Sequence, residues 1–227
     1  MTQQETFLQS VARQLAPRAA SLTLPWPQPG QAAGFRTFEC LADWTACVED
    51  LGLREGIPEI VAAKYRRAQK LYLLAWLDID LIKSGELVAL TALELALKDC
   101  YVGKVPARGK PRKPSMMRKP PIKAFADLLD HMVVHDGLTD AQIPMISRYG
   151  GTVVDRLRLE RDGGPPVARP TLSEIRNDLA HGYPFDGFPR SDILELVRDL
   201  IEYAYRDFGK ALTRSRRERV QEKDAPL

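Results

Sequence analysis

Cysteine and histidine are both scarce in this chain: three of each occur among 227 residues. The cysteines, Cys40, Cys47 and Cys100, are odd in number and spaced for neither a zinc ribbon nor a redox pair. Reduced thiols packed as small apolar groups are therefore expected. No run approaches the roughly 18 uninterrupted apolar residues of a membrane span, which argues against a membrane partner. The opening residues Met1-Thr2-Gln3-Gln4-Glu5-Thr6-Phe7 lack a charged leader followed by an apolar run, so no signal peptide is expected and the protein reads as cytoplasmic. Strand signals are nearly absent. The net charge of +3 is too small to imply a nucleic-acid partner by itself.

Its distribution says more. Acidic residues are missing from the stretch Lys104–Lys123, which holds eight basic ones: Lys104, Arg108, Lys110, Arg112, Lys113, Arg118, Lys119 and Lys123. Pro106, Pro111, Pro114, Pro120 and Pro121 forbid a regular helix there. Lys110, Arg112, Lys113, Arg118 and Lys119 are thus candidate RNA-binding residues on a phosphate-tracking loop, and a solvated insertion is the competing reading. A second basic cluster, Arg214, Arg216, Arg217 and Arg219, falls in a tail spanning 214–227.

What fills the rest is helical periodicity. Phe7, Leu8, Val11 and Leu15 predict a helix over 4–16, ended by Pro17, and the joint Leu24-Pro25-Trp26-Pro27-Gln28-Pro29-Gly30 breaks the chain. A short amphipathic helix is predicted over 38–51, and 1–56 reads as an N-terminal extension with modest structure of its own. A strong helix follows Pro58 and runs to Ile82, with Gly85 as its C-cap. The next covers Glu86 to about Tyr101 and is nearly all apolar except for Glu94, Lys98 and Asp99; a carboxylate there needs a partner if it is buried. Ile122–His135 predicts another helix. Residues 136–169 form a mixed insertion with room for a short helix.

Thr171-Leu172-Ser173-Glu174 is a capping box, and the helix it opens is short because Gly182 and Pro184 end it. A last helix starts near Ser191 and runs through Ile193, Leu194, Leu196, Val197, Leu200, Ile201, Ala204 and Phe208. The expected fold is all-α: an up-and-down bundle of four main helices over 57–213, with the insertions 104–123 and 136–169.

The capped helix contains Arg176-Asn177-Asp178-Leu179-Ala180-His181. At about 100° per residue, Asn177 and His181 share a face, and Arg176 stands roughly 140° from His181 with a side chain long enough to swing around the helix end. A helix C-terminus favours a cation, and so favours a protonated imidazole. A guanidinium nearby adds a permanent fork for phosphate. These two groups are the minimal equipment for cutting RNA without a metal or other cofactor: the imidazole moves protons at the ribose 2′-OH and the leaving 5′-oxygen, and the arginine stabilises the charged phosphorane. Catalytic roles therefore fall to Arg176 and His181, with Asn177 orienting the site. One histidine is poorly placed to be both base and acid in one turnover, so a homodimer with a shared site is expected. A capped helix ending in a surface histidine is the plain alternative.

The segment resembles the HEPN superfamily, whose signature is an arginine, usually followed by a polar residue, then four to six positions to a histidine. Arg176, Asn177 and His181 fit its RN-x-x-x-H form. Tyr183 completes the R-x4-H-x-Y version of HEPN toxins paired with minimal nucleotidyltransferase antitoxins. The stretches YPFDGFPRSDILELVRDLIEYAY and GELVALTALELALK resemble the loop and last helix, and an earlier bundle helix, of those proteins. The resemblance implies a dimeric helical bundle and a metal-independent endoribonuclease of a toxin–antitoxin, phage-defence or stress system. It also implies pairing of Glu94 with Arg176, and Tyr183 as the place where an antitoxin attaches AMP. The N-terminal extension and long insertion depart from the compact toxins.

Two rivals remain. One is a non-catalytic HEPN module that binds RNA, a nucleotide or a partner protein. The other is a helical metal site built on His131 and His135, four apart, with Asp127, Asp130 and Asp136 nearby.

Overall fold

A computed structural model of the chain describes residues 21–31, 34–105, 124–158, 170–182 and 191–208. The expected helix over 4–16, the loop cations Lys110, Arg112, Lys113, Arg118 and Lys119, Tyr183 and the tail arginines lie outside the described residues. Those that are described are mostly helical, with one small two-stranded sheet.

Two helices form the centre. In α2 (Glu59–Leu74), Val61, Tyr65, Ala68 and Tyr72 recur three and four apart and are all buried. Helix α3 (Leu81–Tyr101) buries Ile82, Ala89, Leu90, Ala92, Leu93, Ala96, Leu97 and Tyr101. The two run antiparallel: Gly85 meets Tyr72 at one end of their interface, and Lys98 shares a groove with Ile60 at the other. Against α3 pack α4 (Phe125–Val134), α6 (Leu172–His181) and α7 (Ile193–Ala204), while α5 (Pro144–Tyr149) lies against α7. Single 3-10 turns at Asp140–Gln142 and Val154–Leu157 complete the mixed stretch. Among the described residues no helix is long and apolar enough to cross a membrane.

The link between α2 and α3 corrects the expected boundary. The chain leaves the helix at Ala75, not at Gly85, and Asp78 accepts the Asp80 backbone N–H at 3.1 Å. Such an Asx turn competes with the helical ladder. Periodicity hid the break, because Leu77 and Ile79 still pack against the core from a non-helical backbone. Gly85 lies inside α3, where its missing side chain admits the Tyr72 ring.

The scarcity of strand signals is corrected as well. β1 (Leu22–Pro25) and β2 (Phe35–Phe38) pair antiparallel, Leu22 opposite Phe38 and Leu24 opposite Arg36. Leu22, Leu24 and Trp26 alternate inward, the period of a half-buried strand. Trp26 and Phe38 meet Trp44 of α1 (Leu41–Glu49) edge to face, with centroids 6.2 and 4.8 Å away. Trp44 Nε1 donates to the Tyr72 carbonyl at 2.9 Å, and the Tyr65 hydroxyl donates to that of Leu51 at 2.9 Å. The sheet and α1 thus share one hydrophobic core with the bundle helices.

Candidate functional site

Local chemistry places α6. Thr171 Oγ1 accepts the Glu174 backbone N–H at 3.2 Å and Glu174 Oε2 accepts that of Thr171 at 2.8 Å, so two otherwise orphaned amides are satisfied at its start. At its end Gly182 takes the left-handed conformation, φ 62°, and its N–H returns to the Asp178 carbonyl. Leu172 and Ile175 bury one side of this short helix. Arg176, next to Ile175, leaves at the margin of that buried face and reaches α3.

There it meets Glu94, whose side chain is only 12% exposed. Arg176 Nη2 donates to Glu94 Oε2 at 2.9 Å, and Lys98 Nζ donates to Glu94 Oε1 at 2.7 Å, so one half-sequestered carboxylate holds two cations. Such a carboxylate would be costly if unpaired, and the pairing removes that cost. Arg176 Nη1 also donates to Asn177 Oδ1 at 3.1 Å, while its Nε is buried without a hydrogen-bond partner. Glu94, Arg176 and Asn177 are therefore in one connected arrangement. His181 is not. It is the last residue of α6, exposed, and its side chain has no hydrogen-bond partner among the described residues. The guanidinium turns to α3 instead of swinging around the helix end.

The Glu94–Arg176 pair forms one wall of a groove of about 440 Å³ lined by Ile60, Ala63, Lys64, Arg67, Thr91, Glu94, Leu95, Lys98 and Arg176. Lys64 and Arg67 were not anticipated as site residues. Their spacing, three apart on a helix, was visible, but nothing local says that this face of α2 meets α6.

The histidine pair on α4 is a different environment. The His131 and His135 rings lie tilted by 34° with centroids 4.9 Å apart, and the Tyr101 ring lies 5.1 Å from that of His131. Burial, reinforced by His135, holds the His131 imidazole below its ordinary range. Asp136 faces Arg206, which donates to its two carboxylate oxygens at 2.7 and 2.8 Å, and also accepts from the Tyr101 hydroxyl. Hydrogen bonding from Arg206 holds that carboxyl below the usual range. Among the described residues no group of three or more histidine, cysteine or acidic side chains is arranged to hold a metal ion.

A second cleft, about 450 Å³, separates the sheet and α1 from α5 and α7. At its floor Glu195 is 1% exposed and accepts Arg148 Nη1 at 2.8 Å and the Tyr149 hydroxyl at 3.3 Å. Burial raises its carboxyl, opposed by Arg148 and Arg198. Neighbouring Asp199 takes Arg198 and the Met145 backbone N–H, so these buried charges tie α5 to α7.

Comparison with known proteins finds no matching family model, no matching curated protein and no matching solved structure.

Proposed function

We propose that the chain is a metal-independent endoribonuclease with a HEPN-like bundle, acting as a homodimer in a toxin–antitoxin, phage-defence or stress system. One observation carries the reading: Arg176 is held by Glu94 from a neighbouring helix, five positions before an exposed imidazole at the end of its own helix. The antiparallel α2–α3 pair with α4, α6 and α7 packed on α3 is compatible with such a bundle.

In the proposed reaction the ribose 2′-oxygen attacks the adjacent phosphorus while His181 takes the 2′-OH proton. The bond from phosphorus to the 5′-oxygen breaks, and the partner's His181 gives that oxygen a proton. The products are a 2′,3′-cyclic phosphate and a 5′-hydroxyl. Arg176 stabilises the charge that builds on the phosphorane oxygens, a role worth on the order of 10²–10³ in rate for a single well-placed donor. Glu94 fixes the guanidinium so that little reorganisation is needed when that charge appears. Asn177 orients the site. Tyr183, two residues past His181, is the proposed point of AMP attachment by a nucleotidyltransferase-type antitoxin, placing negative charge near Arg176.

A non-catalytic module that binds RNA, a nucleotide or a partner protein is the second reading, favoured by an Arg176 that turns to Glu94 and leaves His181 outside the connected arrangement. Incubation of purified protein with total cellular RNA, with a chelator present, separates the two. The expected result is cleavage to cyclic-phosphate ends by the wild type and a loss of about 10²–10⁴ in rate for His181→Ala. Cleavage that persists in purified His181→Ala would sink the ribonuclease reading, and RNA retained without product would favour the binding module.

A further inference from the structure

Lys64 and Arg67 are two groove residues to which the proposed chemistry assigns no part. Three apart on α2, they are about 4.5 Å apart along the helix axis and share a face. Neither makes a side-chain hydrogen bond or ion pair among the described residues. Opposite them Lys98 and Arg176 share Glu94, the one carboxylate among the described lining residues. Among the described lining residues, four cations against one anion leave an excess of three positive charges. Cations gathered in a concave, partly desolvated space repel one another more than they would on an open surface, and an anion relieves that repulsion.

The remaining lining narrows the chemistry of that anion. The Arg176 side chain is 32% exposed, so its guanidinium keeps accessible surface even while Nη2 holds Glu94. The walls of Ile60, Ala63 and Leu95 are aliphatic, and no aromatic side chain is among the described lining residues, so these offer no platform on which a base would stack. The Thr91 hydroxyl donates to the Leu87 carbonyl at 2.7 Å and that donor is already used. What the groove offers is charge and N–H donors, which suit phosphate oxygens.

We infer that this groove is a phosphate-binding subsite that tracks the backbone of an RNA strand, with Lys64 and Arg67 as positioning residues; the identity of the strand rests on the ribonuclease reading above. Arg176 joins the groove to the end of α6, where His181 stands about 7.5 Å further along the helix axis. A strand seated on Lys64 and Arg67 is thus directed past Arg176 towards the imidazole. Because contacts to phosphate carry no sequence information, its contribution is expected to be much the same for every sequence.

The test uses the full chain and 2′-O-methyl RNA, whose capped nucleophile prevents cleavage, with affinity followed by fluorescence anisotropy over a range of salt. The double variant Lys64→Gln, Arg67→Gln should bind about tenfold or more weakly, and its log–log salt slope should be shallower by roughly 0.7 for each phosphate that is no longer neutralised. The weakening should be alike for oligonucleotides of different sequence. The variant Lys64→Arg, Arg67→Lys keeps both charges and should restore binding, which a folding defect would not explain. Unchanged affinity and slope in the glutamine variant would overturn the subsite even if the wild type cuts RNA. Groove-dependent binding by a wild type that never cuts RNA would overturn the ribonuclease reading and leave the subsite standing. Full displacement by inorganic phosphate or AMP, with no dependence on oligonucleotide length, would assign a small phosphorylated ligand and overturn the strand. Preference for polyglutamate over RNA would reassign the groove to an acidic polypeptide and overturn the inference.

Discussion

A methyl group on Gly85 would stand 2.6 Å from Cδ2 and 2.8 Å from Cε2 of Tyr72. Tyr72 is fully buried, and its carbonyl is tied to Trp44 Nε1, so α1, α2 and α3 are interlocked at this one point.

Gly85→Ala sets two effects against each other. Alanine favours the helix by about 1 kcal/mol. Overpacking a closed core costs about 1–3 kcal/mol, and the Tyr72 ring that would have to shift is fully buried. Overpacking wins, so a net loss of stability is expected, read as a lower urea midpoint with an unchanged slope. A raised midpoint would show that the ring yields freely.

Glu94→Gln removes the charge that holds Lys98 and Arg176 while keeping the shape. Loss of charged hydrogen bonds from a mostly buried carboxylate should cost about 1–3 kcal/mol, and RNA cleavage should fall with it because Arg176 is no longer oriented. Thermal melts and initial rates measured on the same preparation check both. A variant with wild-type rate and wild-type melting would remove Glu94 from the site.

Arg176→Lys keeps a positive charge but loses the planar fork that meets Glu94 and Asn177 together, so cleavage should be impaired yet retained in part. Asn177→Ala should lose less, since the guanidinium keeps its bond to Glu94. The order His181→Ala, Arg176→Lys, Asn177→Ala, from most to least damaged, is the expected outcome of a single-turnover assay.

A dimer is required if one His181 acts as base and its counterpart as acid. Light scattering at micromolar concentration should give twice the chain mass. Mixing excess His181→Ala into wild type should lower the activity per wild-type chain, because mixed dimers lack one proton carrier. A fully active monomer contradicts the shared site.

Acid should destabilise the protein in two stages. The His131 imidazole is held below its ordinary 6.5 by burial and by His135, with Lys104 adding to the effect and Asp130 and Asp136 opposing it. The unfolded chain therefore takes the proton first, and stability falls as pH drops through the ordinary imidazole range. Asp136 is held below the usual carboxylate value by Arg206, so its contribution is present above that value and is lost as pH falls through the folded-state pKa. Urea midpoints followed down the pH scale should show both stages, with His131→Asn flattening the first and Asp136→Asn the second.

The sequence alone determined what local chemistry controls. Thr171 and Glu174 start α6 and Gly182 ends it because a capping box and a left-handed glycine act within four residues of chain. The apolar period of α7 marked Ile193, Leu194, Leu196, Val197, Leu200 and Ile201, all buried, but neither the exposure of Phe208 beyond the helix end nor the burial of the carboxylates Glu195 and Asp199 was legible from it. A carboxylate in the apolar stretch around Glu94 needs a partner if it is buried, and the resemblance to HEPN proteins, not the periodicity, indicated Arg176. Periodicity misled at Leu77 and Ile79, where burial continues after the helix has stopped. Leu22, Leu24 and Trp26 alternate too briefly, among prolines, to stand out as a strand. Only the tertiary structure decided that Lys64 and Arg67 of α2 share a groove with Lys98 and Arg176. Those residues come together because α2 and α6 both pack on α3, and packing across a hundred positions of chain leaves no mark in the local spacing of residues.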